Sequence, residues 1–88
     1  MPPRLTSAEK QLATNIEGAV DRDTVIDVLL RNGVSIYQQQ DQAEGMYALE
    51  KGEFFESRRI PIVVHKSLLR RFCRKFQIDI REFYGTIQ

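Results

Sequence analysis

Between Lys66 and Lys75 the chain places five cations, Lys66, Arg70, Arg71, Arg74 and Lys75, the densest group of chemistry-bearing side chains in the sequence. On a helix, Arg70 and Arg74 stand one turn apart, as do Arg71 and Lys75, so the segment would present a row of positive charge that can follow a phosphate backbone. Arg58 and Arg59 extend that row if the strand they begin lies alongside. The bland alternative is a solvated helix face, or pairing with the acidic residues Asp21, Asp23, Asp27, Glu50 and Glu56. His65 directly precedes the basic run, where an imidazole is suited to general acid–base work or to touching a phosphate. A junction histidine that caps the helix or pairs with a carboxylate is the more ordinary arrangement, because general acid–base catalysis needs a positioned partner.

Other chemistries are poorly provided for. One histidine and one cysteine do not build a metal site of the usual imidazole and thiolate kind. The chain has neither a glycine-rich phosphate loop nor a G-x-S-x-G elbow. No cofactor is implied and no catalytic activity is established. Cys73 falls on the apolar side of its segment, where a thiol behaves as a small hydrophobe. Tyr37 and Tyr47 are expected on an outer sheet face, either stacking on bases or, more commonly, forming cross-strand pairs.

The elements that position these residues follow from pattern. Thr6-Ser7-Ala8-Glu9 has the spacing of a capping box, and Leu12, Ile16 and Val20 follow at four-residue intervals, predicting a first helix over 7–20. Asp21-Arg22-Asp23-Thr24 supplies new cap oxygens for a second helix from Thr24 to Asn32, ended by Gly33. The period then changes to two. Strands are expected from Val34 to about Gln39, from Met46 to Glu50, and from about Arg59 to Val64, with a polar loop at Asp41–Gly45 and Phe54 and Phe55 in the last connection. Pro61 belongs at that third strand's start or on an edge. A third helix runs from about Ser67 to Phe76, with Leu68, Leu69, Phe72, Cys73 and Phe76 inward and Arg70, Arg71 and Arg74 outward. Asp79 caps a short terminal turn anchored by Ile80 and Phe83. The expected class is α+β: a single domain over 1–88, with two N-terminal helices, a three-stranded antiparallel meander and a C-terminal helix packed on one face. Its α-β-β-β-α core spans 24–84.

Composition agrees with one folded domain. Hydrophobic residues make up 42% and charged residues 28% of the 88 residues, an ordinary globular balance. The net charge of +1 hides an asymmetry, because residues 58–88 carry eight of the 13 basic side chains and only two of the 12 acidic ones. Such a split suggests an anionic partner, internal pairing, or pairing with a second copy. A lone cysteine and the absence of an apolar leader or membrane span point to a cytoplasmic setting and no membrane partner.

From Leu29 onward the chain resembles the HicA-type toxins of bacterial toxin–antitoxin systems, small RNA-cleaving domains with a helix–three strands–helix plan similar to double-stranded-RNA-binding domains. The resemblance rests on Leu29-Leu30-Arg31-Asn32-Gly33 leading into a strand and on Ile62-Val63-Val64-His65, which looks like the family's third-strand ending. Leu69, Phe72, Cys73, Phe76, Ile78 and the closing Asp79–Phe83 continue it, so that it covers about residues 25–84. The family's catalytic histidine sits in a Gly-Ser-His-type motif, whereas this chain reads Asp41-Gln42-Ala43-Glu44-Gly45-Met46 there. The resemblance therefore implies the fold and RNA or partner binding, without the histidine chemistry.

The leading functional expectation is a non-catalytic nucleic-acid-binding domain, RNA before DNA, holding phosphates through Arg70, Arg71, Arg74 and Lys75 with Lys66 and Arg59 at the margin. A protein-interaction or regulatory module, including a homodimer joined through open strand edges, is the alternative. A toxin-type ribonuclease ranks third.

Overall fold

The computed structural model describes residues 4–38 and 45–85, so most of the loop expected at Asp41–Gly45 lies outside the described residues. Helix α1 (Ser7–Thr14) opens on Thr6, whose hydroxyl accepts the Glu9 N–H at 3.2 Å while the Glu9 carboxylate accepts the Thr6 N–H at 2.9 Å. This is the reciprocal cap that the sequence predicts. The helix then stops well before Val20. Ala13 is its buried residue, and Leu12 and Ile16, expected to face inward, are exposed. Gly18, at φ +78°, turns the chain out of the helical path, and its carbonyl accepts the Tyr84 hydroxyl at 2.7 Å. Val20 therefore enters a short strand, β1 (Val20–Asp21), rather than completing a helical stripe.

Asp21 caps α2 (Arg22–Arg31), accepting the Thr24 N–H at 3.0 Å and the Thr24 hydroxyl at 2.8 Å. Val25, Ile26, Val28 and Leu29 face the core. The end is a Schellman arrangement: Gly33 takes φ +84° and the Val34 N–H returns to the Leu29 carbonyl at 3.0 Å.

Three strands, β2 (Ser35–Gln38), β3 (Met46–Lys51) and β4 (Phe54–Arg59), form an antiparallel sheet in that order. Gly52 and Glu53 make the two-residue turn between Lys51 and its partner Phe54. The expected third strand at Arg59–Val64 is thus displaced, because Phe54 and Phe55 begin the strand and Arg59 ends it. Pro61 has no N–H to offer a ladder, and the sheet closes just before it, where the Ile60 N–H reaches the Gly45 carbonyl at 2.9 Å. Residues Val63–Val64, named β5, pair instead with β1, Val20 opposite Val64 and Asp21 opposite Val63.

Helix α3 (Lys66–Phe76) and a 3-10 turn (Ile80–Tyr84) complete the α+β fold. One core cluster joins Val25 and Leu29 of α2, Tyr47 and Leu49 of β3, Leu69, Phe72 and Phe76 of α3, and Phe83. Phe72 and Phe76 stack with ring centroids 6.3 Å apart. Asp79 caps the 3-10 turn, and hydrogen bonds from the Arg81 side chain and then its N–H hold the Asp79 carboxyl down to about 2. Among the described residues no helix is long and apolar enough to cross a membrane.

The exit from α3 is a second Schellman arrangement built without glycine. Gln77 takes φ +57° and the Ile78 N–H bonds the Cys73 carbonyl at 3.1 Å, while the Lys51 ammonium covers the Phe76 carbonyl at 3.1 Å. A residue with a Cβ is strained in the left-handed region. Gln77→Gly is therefore expected to raise stability by about 0.5–1 kcal/mol, measured as a higher urea midpoint with an unchanged denaturant slope.

Candidate nucleic-acid interface

Strand alternation sets the chemistry of the sheet's two faces. The registers put Ile36, Tyr47, Leu49, Glu56 and Arg58 on one face and Tyr37, Ala48, Phe55, Ser57 and Arg59 on the other. The first face meets the core and α3. Tyr47 is only 1% exposed there, which overturns its expected place on the outer face. Its ring belongs to the core and offers no stacking surface. Tyr37 does lie on the outer face, 58% exposed.

Helix α3 docks through its apolar side and through one carboxylate. Glu56 of β4, 8% exposed, accepts both Arg71 Nε at 3.0 Å and Arg71 Nη2 at 2.9 Å on its Oε1 atom. Arg58 Nε approaches the same oxygen at 3.1 Å as an ion pair without an aligned hydrogen bond. Burial pushes the Glu56 carboxyl up, yet the hydrogen bonds from Arg71, the adjoining Arg58 guanidinium and the charge of Lys75 outweigh it and leave the carboxyl below its ordinary value of 4.5. Lys75, on the same side of the helix as Arg71, lies 3.5 Å from the Phe55 carbonyl.

This separates the predicted cations into two rows. Arg71 and Lys75 are turned toward the sheet and hold the helix to it. Lys66, Arg70 and Arg74 follow one another at four-residue spacing along the exposed side, and among the described residues none of the three makes a hydrogen bond or ion pair. The row is about 12 Å long at the helical rise of ~1.5 Å per residue. Arg59 does not join it. Paired with Met46, it lies on the opposite face of the sheet, beside the depression formed by Glu9, Arg22, Gly45 and Ile60–Ile62.

Four of the five acidic residues considered as partners for the row are engaged with other groups. Asp27 takes the Arg4 guanidinium through two bonds, at 3.1 and 3.2 Å, which hold its carboxyl below the usual range. Buried Asp23 accepts the Leu5 N–H at 2.8 Å and faces Arg4 and Lys10 at 3.5 and 3.8 Å. Asp21 is the α2 cap, and Glu82 meets Asn32 at 3.3 Å and Arg31 at 3.9 Å. Of the five acids considered as partners for the basic helix, Glu56 takes Arg71, and Glu50 is exposed on the outer sheet face.

His65 occupies the cap position of α3 with no side-chain cap bond, and Cys73 lies eight residues on, about 12 Å along the axis. That spacing does not make a histidine–cysteine pair. Burial first, and then the negative charge of Asp79, push the Cys73 thiol up, away from nucleophilic use. Among the described residues no group of histidine, cysteine or carboxylate side chains is placed to hold a metal ion.

Sequence reasoning missed Phe54. It is 53% exposed, and it lines a shallow groove with Arg71, Arg74 and Lys75. The signal was available in Phe54-Phe55, since adjacent residues on a strand must point to opposite faces. Comparison with protein-family models, curated proteins and solved structures finds no match for this chain.

Glu56→Ala leaves two guanidinium groups without their carboxylate at the helix–sheet junction. A loss of about 1–3 kcal/mol in unfolding free energy is expected. Because the folded carboxyl titrates below its ordinary value of 4.5, its stabilisation is complete above that pH and fades as the pH falls through the lowered value. A urea series from pH 6 downward should therefore show a shallower acid decline for the variant than for the parent.

Proposed function

We propose that this protein is a non-catalytic nucleic-acid-binding domain, RNA before DNA, that holds phosphates along the outer side of α3. One observation carries the reading: Lys66, Arg70 and Arg74 form an exposed row without hydrogen-bond or ion-pair partners among the described residues, although the chain is nearly neutral. Unneutralised charge persists in such a row at the expense of mutual repulsion, which a polyanion relieves while releasing counterions. Arg71 and Lys75 contribute field from behind the row, Arg71 remaining half exposed beyond its bond to Glu56. The reading accords with the RNA association implied by the HicA-type resemblance, and with a cytoplasmic setting. It uses no step of the family's histidine chemistry.

The outer sheet face favours a second reading, a protein-contact module. Tyr37 and Phe55 are both exposed there, on the strands to either side of β3, opposite Ala48 and Glu50 respectively. Light scattering across a concentration series separates it from the first: a dimer dispersed by Tyr37→Ser/Phe55→Ser would support contact between copies, and a strict monomer would weigh against it.

For the phosphate reading, fluorescence anisotropy with labelled RNA and DNA should show affinity falling steeply with salt. Arg70→Ala/Arg74→Ala should weaken binding at least tenfold and reduce the magnitude of the log–log salt slope by roughly two, one phosphate per guanidinium. No binding at low salt, or parental affinity in the double variant, would remove the basis of the proposal.

A further inference from the structure

Phe54 is placed by the hairpin. Gly52 and Glu53 turn the chain in two residues, so Phe54 is the first residue of β4 and pairs with Lys51. Alternation puts it on the same sheet face as Glu56 and Arg58, the face that carries α3. Glu56 meets Arg71, and Phe54 lies two residues nearer the hairpin tip, about 7 Å along the strand. An aromatic ring on a helix-facing strand position is ordinarily covered by the helix. Here the helix offers Arg71, Arg74 and Lys75 in place of apolar side chains, and the ring stays about half open. No carboxylate is among the side chains lining that groove, whose volume is about 370 Å³.

We infer that Phe54 is a stacking platform for an unpaired base, adjoining the Lys66–Arg70–Arg74 row, so that the ligand of this surface is single-stranded nucleic acid. The inference rests on the phosphate reading above and narrows it. Arg74 belongs both to the row and to the groove, so the ring adjoins the end of the row that a phosphate backbone would follow. A duplex keeps its bases stacked on one another and has no free face to offer the ring. Stacking on an aromatic side chain is tolerant of base identity and adds to backbone contacts. An acidic peptide would satisfy the cations, but it supplies no flat partner for the ring.

The test is anisotropy on the full chain with four probes of equal length: a single-stranded RNA, a single-stranded DNA, an RNA duplex, and a single strand carrying abasic sites. Phe54→Ala should lower affinity for the two base-bearing single strands by roughly 5- to 100-fold, leave the salt slope unchanged, and leave the duplex and abasic probes unaffected. Phe54→Trp should restore binding and quench on addition of the strand, a readout that a merely structural role would not produce. An exposed position should tolerate both substitutions, and matching circular dichroism spectra would verify that. Three results overturn the inference while the phosphate reading stands: parental affinity in Phe54→Ala, an equal loss on the abasic probe, or preference for the duplex. Displacement of the strand by a poly-glutamate peptide whose own affinity depends on Phe54 overturns it in favour of a protein ligand. Absence of binding to every probe at low salt overturns the phosphate reading, and this inference with it.

Discussion

Glu56 sits beneath α3 with one carboxylate oxygen held by two nitrogens of Arg71 and approached by Arg58, while its other oxygen is buried with no hydrogen-bond partner among the described residues. Apolar contact is weakly directional. A helix resting on a sheet through Leu69, Phe72 and Phe76 alone could roll by some degrees at little cost. A carboxylate shared by two guanidinium groups is directional and tolerates far less rotation. It selects which arginines turn down toward the sheet and which remain in solvent. Burial of that carboxylate opposes its charge, and the guanidinium groups of Arg71 and Arg58 offset the opposition.

Through that one constraint the local chemistry of α3 becomes a surface. Cations at four-residue spacing are neighbours on a helix, so Lys66–Arg70–Arg74 and Arg71–Lys75 are two parallel lines from the moment the helix forms. Docking gives them different work. The inner line neutralises Glu56 and covers a strand carbonyl, and the outer line is left to interact with solutes. Two of the acids of α2, Asp23 and Asp27, are occupied instead by Arg4 and Lys10.

Much of the fold is legible in the sequence wherever a signal is local. The Thr6–Glu9 cap, the Asp21 cap, the glycine stop after Asn32 and the strongly one-sided pattern of α3 each depend on residues within a turn of one another, and each is present in the structure. The misreadings arise where distant contacts decide. Leu12, Ile16 and Val20 have helical spacing, but Gly18 and the pairing of Val20 with Val64 draw the chain away before the stripe is complete. The run Ile60–Val64 has strand composition, yet Pro61 divides it and its last two residues join a different partner. Tyr47 and Tyr37 look equivalent in sequence, and the register of β2 on β3, with Tyr37 opposite Ala48, puts them on opposite faces. Arg59 would extend the α3 row only if its strand began alongside the helix, and alternation sends it to the other face. The cationic helix itself was legible. Its division into bonded and unbonded rows depended on Glu56, and nothing near Glu56 in sequence points to α3.

The pairing of Val20–Asp21 with Val63–Val64 also constrains the order in which the domain can assemble. Emerging from a ribosome amino end first, Val25, Ile26, Val28 and Leu29 of α2 can lie against Tyr47 and Leu49 once β3 has been made, but their core stays incomplete until Leu69, Phe72 and Phe76 of α3 follow. Loop closure over more than forty residues has to precede the contacts that reward it. A nascent chain halted before residue 64 would hold its caps and the three-stranded sheet without the α3 part of the core, and chaperones that bind apolar helices would find α2 partly open to them throughout that interval.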